Sequence, residues 1–294
     1  MRKEISSVFK FIEDNRKKHD VKLMCKVLNV ARSSFYKYLR KTDSRRSIEN
    51  AMYKKEIFKI YSDSKNRYGA PKIYNILKGK GFAISIKRVQ ILMRKLGIKS
   101  VIKKKFRPCV SKQEIEEREN VLKRNFSTST INEKWATDIT YIHTLRGGWC
   151  YLASVLDLYT KKIVGYAFSR TMGTDLAIKA VDNAYTAQKP KGQIILHSDL
   201  GSQYTSSKFY EYISKINIIH SFSAKGTPYD NACIESFHTS LKKEKVNLVN
   251  YYDFNAARLA IFEYIESWYN RKRIHSSIGY ITPQECENMV RKSA

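Results

Sequence analysis

Lys134-Trp-Ala-Thr-Asp138-Ile-Thr-Tyr-Ile-His143 is the stretch from which the rest of the chain can be read. β-Branched and aromatic residues dominate it, the composition of a strand, and a single carboxylate interrupts it. A second short apolar run, Ile194-Ile-Leu, leads into His197-Ser-Asp199-Leu-Gly201-Ser-Gln203-Tyr204. A third carboxylate, Glu235, follows the turn signal Gly226-Thr-Pro-Tyr-Asp-Asn231 and opens a helical pattern that continues to about Asn247. Clustered acids usually mean only a solvated face. Acids at two strand positions and one helix start are instead placed to converge.

Working outward, the periodicity predicts strands at about 134–144, 148–158 and 161–169, with Arg146-Gly-Gly148 turning the first hairpin. A helix at Thr174–Ala187 precedes the Asp199 strand, and another at Ser206–Lys215 precedes a strand at Ile218–Phe222. The order β-β-β-α-β-α-β-α implies an α/β domain over 132–294, ending in a C-terminal helix and tail: a mixed five-stranded sheet with helices on both faces. If the fourth strand pairs beside the first, Asp138 and Asp199 become neighbours. That is the arrangement of ribonuclease-H-like nucleases.

Upstream the chain changes character. Of its 55 Lys and Arg, residues 1–125 hold 35, against 12 of the 27 Asp and Glu, so most of the formal net charge of +28 sits in the first part. A merely soluble surface mixes the signs. Concentrated positive charge implies a polyanionic partner, bound through phosphate neutralisation. Residues 1–42 read as a helix-turn-helix whose final helix, Arg32–Leu39, carries Arg32 and Lys37 toward a major groove. Residues 43–107 read as a second such unit, with Lys87 and Arg88 on its last helix and the basic run Lys103, Lys104, Lys105 behind it. Residues 108–131 are expected to be a connecting helix, over about 113–124, and a linker.

Composition also excludes classes. No run of about 18 apolar residues offers a membrane span, and the N-terminus lacks the apolar core of a secretory signal. Cys25, Cys109, Cys150, Cys233 and Cys286 form no Cys-x-x-Cys pair, which argues against a disulfide framework or zinc ribbon and suits a reducing cytosol. A cytoplasmic protein at the bacterial nucleoid is expected.

With these residues in view, the chain resembles the integrase-core transposases of bacterial insertion sequences, the second-reading-frame proteins of two-frame elements. The likeness rests on Arg67-Tyr-Gly-Ala-Pro71, on Trp135-Ala-Thr-Asp138-Ile-Thr-Tyr-Ile142, and on His197-Ser-Asp199 with Gly201 and Gln203-Tyr204. It continues through Pro228-Tyr-Asp-Asn231 and Glu235-Ser-Phe to Tyr269-Asn270, Arg273, His275-Ser-Ser277, Gly279-Tyr280 and Thr282-Pro283. The resemblance implies an all-α DNA-binding region before a ribonuclease-H-like core, an Asp-Asp-Glu triad, and Mg²⁺ or Mn²⁺ as cofactor. The expected substrates are the element's terminal inverted repeats and a target DNA. A homodimer or larger assembly is expected on synapsis of two ends, and a first-frame partner protein, or a fusion to it, is typical of the family.

The expected mechanism makes Asp138, Asp199 and Glu235 both the catalytic and the metal-binding residues. Asp138 would bridge two ions, Asp199 completing one site and Glu235 the other. Lys242, seven residues after Glu235 and two turns along the helix, is expected to face DNA. Asn231, Gln203 and Arg273 are further DNA-contact candidates; His197, Gly201 and His275 are auxiliary ones, with packing an even alternative for the histidines. Three other readings stand beside this one. A tyrosine recombinase would draw on the 20 tyrosines, a non-catalytic regulator would need only the helical units, and a hydrolytic ribonuclease H would leave the basic region without purpose.

Overall fold

The computed structural model describes residues 2–40, 45–101, 119–123, 125–223 and 231–293. Three helices come first: α1 (Arg2–Asn15), α2 (Val21–Val27) and α3 (Arg32–Leu39). They enclose a small core of their own built from Phe9, Ile12, Met24, Cys25 and Phe35. The sequence predicts a first helix reaching His19; it ends at Asn15, because Asp20 restarts the chain as the N-cap of α2, its side chain accepting from Lys22 N at 2.9 Å. A second trio comes next: α4 (Arg45–Asp63), α5 (Ala70–Gly79) with Pro71 in its first turn, and α6 (Ile86–Lys95), capped by Ser85. The basic run Lys103, Lys104, Lys105 and most of the expected connecting helix lie outside the described residues. The described part of that segment, 119–123, is not helical. It runs along the sheet instead, with Leu122 N donating to Ser221 Oγ at 2.9 Å and Phe222 N to Glu119 O at 3.1 Å.

The sheet has five strands: β1 (Lys134–Thr144), β2 (Gly148–Asp157), β3 (Ile163–Ser169), β4 (Ile194–Ser198) and β5 (Ile218–Phe222). Their order is β3-β2-β1-β4-β5. The first three are antiparallel neighbours, and β4 and β5 join in parallel, so the fourth strand does lie beside the first. This is the ribonuclease-H-like topology. β3 starts two residues later than expected, since Lys161 turns the chain at φ 60°. The pairing of β1 is unequal on its two sides. It matches β2 from Trp135 opposite Asp157 to Thr144 opposite Gly148, but meets β4 only at Lys134, Trp135 and Ala136. Past Ala136 that edge meets no strand among the described residues until Thr144 bridges Tyr251.

α7 (Thr174–Gln188), the short α8 (Ser202–Thr205) and α9 (Ser207–Lys215) cover one face, where Trp135, Val155 and Leu196 pack with Ala177, Ala180 and Phe209. α10 (Ala232–Glu244) and α11 (Phe254–Phe262) pack on the other face, where Ile234, Phe237 and Leu241 meet Ala136, Ile142 and Leu152. α11 runs on as a π-helix over Glu263–Tyr269, and α12 (Pro283–Ser293) lies near the end of the chain. The apolar cluster on the α10 face does not stop at the sheet: it continues through Trp268 and Tyr269 into Tyr68, Ile73, Leu77 and Leu92 of the second helical trio.

β3 and α7 meet backbone to backbone at Gly165, which has no side chain to intervene. A Cβ on Gly165 would lie 2.4 Å from Ala184 N and 2.5 Å from Ala180 O, atoms of a helix backbone that cannot swing aside. We expect Gly165→Ala to destabilise the protein by about 3 kcal/mol, the upper range for overpacking a closed core. Urea unfolding with an unchanged slope checks this, and a loss below about 0.5 kcal/mol would mean that α7 can slide away from the strand.

Candidate active site

Asp138 sits on β1 just beyond its last residue paired with β4, at the mouth of the gap left by the shorter strand. One carboxylate oxygen accepts from Ile139 N at 2.7 Å, and the other lies 3.3 Å from His238 Nδ1. His238 is buried on α10 one turn after Glu235, with its other ring nitrogen 3.5 Å from Ser154 Oγ. Sequence reading missed this residue. The signal was present: positions three apart share a helix face, so a residue three after Glu235 faces whatever Glu235 faces.

Asp199 follows the last residue of β4, where the chain turns into α8. Its Oδ1 accepts from Gly201 N at 3.0 Å. A Cβ at Gly201 would stand 3.0 Å from that same oxygen and 3.1 Å from Gln203 Oε1, so the glycine lets the backbone cradle the carboxylate. Beneath, Tyr204 is buried with its hydroxyl 3.1 Å from Thr137 Oγ1; burial, and then the Asp138 charge, hold its phenol well above the ordinary value. The Asp199 side chain reaches solvent, but the walls around it and the Asp138 charge, with a weaker push from Glu235, raise its carboxyl to about 6. The three acids therefore stand in one another's electrostatic field. Asp138 and Glu235 line a single cleft of about 620 Å³, with Lys242 on the same rim and its ammonium 4.2 Å from the centre of the Tyr141 ring.

Among the described residues, no three His, Cys, Asp or Glu side chains are drawn tightly enough to form a complete metal ligand set. Like charges resist closer approach unless a cation offsets them. The donor set itself fits a hard divalent ion, being carboxylate oxygen from Asp138, Asp199 and Glu235.

Other expected site residues lie elsewhere or have different work. Asn231, the N-cap residue of α10, is buried with its amide nitrogen 3.5 Å from Thr137 O, which ties the start of the Glu235 helix to the strand beside Asp138. His197 is fully buried between Ser221 Oγ at 2.9 Å and Ser223 Oγ at 3.1 Å, joining β4 to β5. Arg273 and His275 gather at the far end of α10. Arg273 Nε donates to Glu244 Oε1 at 3.0 Å, its Nη2 to Ser240 Oγ at 3.0 Å, and its Nη1 lies 3.1 Å from His275 Nε2. Burial, followed by the charges of Arg273, Lys72 and Lys161, pulls His275 down to about 3 and keeps it neutral. In the helical units Arg32, Lys37 and Lys87 are exposed, whereas Arg88 is held inside its trio by Asn50 at 3.0 Å and Glu49 at 3.1 Å.

The sheet order, with a carboxylate on its central strand, another after β4 and a third on the helix that comes after β5, defines a ribonuclease-H-like domain of the kind that acts on nucleic-acid phosphodiesters. Integrase core domain models match residues 129–228 and 216–283, and an HTH-like domain model matches 47–106. The chain is 36% identical over 281 residues to "Transposase InsF for insertion sequence IS3A" of Escherichia coli (strain K12), covering 95% of this chain and 97% of that protein. It is 34% identical over 250 residues to "Transposase for insertion sequence element IS904" of Lactococcus lactis, covering 85% and 98%. Among solved structures it is similar to the HTLV-2 integrase catalytic core domain in complex with magnesium, at 16% identity and TM-score 0.40 over 53% of this chain and 96% of that one. The chain belongs to the integrase-core transposases of bacterial insertion sequences, and is an enzyme of DNA transposition.

These placements generate two expected outcomes. A carboxyl raised in the folded state costs stability as pH climbs from the unfolded value near 4 through about 6, and the full cost stands above that. Metal-free Asp199→Asn should therefore melt higher than wild type at pH 7.5 and gain nothing at pH 4; equal melting at both would separate Asp199 from the other two charges. Arg273→Ala, which leaves the half-buried Glu244 without its cation, should cost about 3 kcal/mol in chemical unfolding. A loss under 1 kcal/mol would show the pair to be dispensable for folding.

Proposed function

We propose that this protein binds the terminal inverted repeats of its own insertion sequence, cuts the DNA there, and joins the freed ends to target DNA, with Asp138, Asp199 and Glu235 as the catalytic triad. The observation that carries the reading is the cleft where β1 outruns β4, at which Asp138 and Glu235 both raise the Asp199 carboxyl. In the cutting step water attacks the phosphorus at the element end, the bond from phosphorus to the 3′ oxygen breaks, and a 3′-hydroxyl is released. In the joining step that hydroxyl attacks a target phosphodiester, forming one phosphorus–oxygen bond while the target's own 3′ oxygen leaves.

The three carboxylates would hold Mg²⁺ or Mn²⁺, two ions in all. When bound, these supply neutralising charge on the phosphate and acidify the attacking hydroxyl. The protein's remaining groups act on position. His238 fixes the Asp138 carboxylate, the Gly201 amide fixes that of Asp199, and Asn231 ties the Glu235 helix to β1. Lys242 meets the phosphate backbone beside the cut, with Gln203 near the Asp199 turn. DNA affinity comes largely from the basic region before the core: we assign 1–42 and 43–107 as two DNA-binding units, 108–131 as the connection to the core and 132–294 as the core itself. Arg32, Lys37 and Lys87 are their exposed groove or phosphate contacts. Handling two element ends at once calls for at least a second copy of the chain.

Asp138→Asn should reduce both cutting and joining of a labelled element end by at least about a thousandfold in Mg²⁺, while leaving end binding within about threefold, since phosphate contacts supply most of the affinity. Wild-type strand transfer by that variant would overturn the triad. A covalent protein–DNA adduct trapped on a tyrosine would replace the mechanism altogether.

A further inference from the structure

The cleft that begins at Asp138 and Glu235 does not end there. It runs along the edge of β1 that β4 leaves after Ala136, toward the β1–β2 hairpin, and its far wall is aromatic: Tyr141, His143 and Trp149 all line it. Trp149 stands directly opposite His143 in the strand register, with Tyr141 two residues along the same strand. Its ring is perpendicular or nearly so to both neighbours, 5.1 Å from the Tyr141 centroid at 85° and 5.0 Å from that of His143 at 74°. Two edge contacts thus hold the indole upright while half of it, 50%, stays exposed. The other two tryptophans, Trp135 and Trp268, are buried. An immobilised, half-exposed indole on a strand, inside a concave site, is an aromatic surface kept open for something flat.

The opposite rim says what kind of flat group. Lys242 and Lys243 line the same cleft, and Lys242 is aligned on the Tyr141 ring, between the aromatic wall and the carboxylates. Cationic groups for a backbone beside an aromatic face for bases is the combination that captures single-stranded nucleic acid. The cleft's volume of about 620 Å³ is that of a site for one small-molecule-sized group, too small for a duplex. We infer that Trp149, supported by Tyr141 and His143, is a stacking platform for an unpaired base of the DNA end, a few nucleotides from the bond being cut. The inference rests on the reading of this cleft as the DNA site. The spacing agrees: five strand residues from Asp138 to His143 span about 17 Å, which is about five stacked nucleotides of one strand, and fewer if that strand is drawn out. The platform would hold the end open after strands separate, and so favours frayed or tailed ends over blunt ones.

The test uses the full-length protein and two fluorescein-labelled duplexes of one sequence, one blunt and one carrying a five-thymidine 3′ tail. Anisotropy gives affinities, and intrinsic tryptophan emission reports stacking on Trp149, the exposed indole. Wild type should bind the tailed duplex more tightly and lose emission on doing so. Trp149→Ala should lose about tenfold on the tailed duplex with blunt binding unchanged. Trp149→Phe should keep the tail preference but lose the quenching, which separates stacking from a general disturbance of the hairpin. Matching thermal unfolding of the three proteins accompanies that result. Equal affinity of wild type for both duplexes, or an undiminished tail preference in Trp149→Ala, would overturn the proposal. None of these measurements involves cleavage, so a failed platform leaves the triad standing, and a failed triad leaves the platform standing.

Discussion

The unequal pairing of β1 is the constraint on which this molecule is built. Hydrogen bonding to β2 along almost its whole length makes the strand rigid, while β4 leaves it after three residues. A carboxylate placed just past that departure is held by a sheet and still reaches a cleft. β4 ends early because the chain must turn at Asp199-Leu200-Gly201 into α8, and that turn delivers the second carboxylate to the same gap. The third arrives on α10, whose Ile234, Phe237 and Leu241 are locked onto the sheet. A strand, the turn that closes a strand and a helix set the three positions, so the cost of repulsion among them is met by packing elsewhere.

A second organising feature lies at the other end of α10. Glu244 accepts from Tyr264, Trp268 and Arg273, three residues brought together where α11 widens into a π-helix and turns. Arg67 lies over the Trp268 ring at 4.4 Å, and Tyr68 Oη donates to Lys272 O at 3.0 Å while accepting from Ile274 N. Two motifs some two hundred residues apart in sequence, at Arg67–Pro71 and Tyr269–His275, are thus one packing unit. It seats the second helical trio against the stretch from Tyr264 to Ile274, which in turn holds Glu244 at the end of the helix that carries Glu235 and Lys242. The second helical trio and the helix carrying Glu235 thus share one apolar core.

The histidines and arginine near these motifs illustrate how burial redirects chemistry. His197 and His275 stand in polar sequence contexts that look catalytic, but one joins two parallel strands through serines and the other is held neutral among cations. His238 carries no motif of its own and sits against Asp138. Proximity in space, and the hydrogen-bond partners that come with it, separates a positioning group from a structural one.

The chain's linear pattern determined the features that obey local rules. β1 and β5 begin and end where alternation and β-branching say, α3 spans its expected residues, and the sheet order accords with the succession of elements. Charge asymmetry and the three acidic contexts pointed to nucleic acid and to the same gap in the sheet. Tertiary structure alone decided the rest. The non-helical path of 119–123, the π-turn around Glu244 and the partnering of Arg88, Arg273 and His238 all depend on atoms far away in sequence. Periodicity reports which face of an element is apolar. It carries no information on which other element will meet that face, or on where a strand will be left without a neighbour.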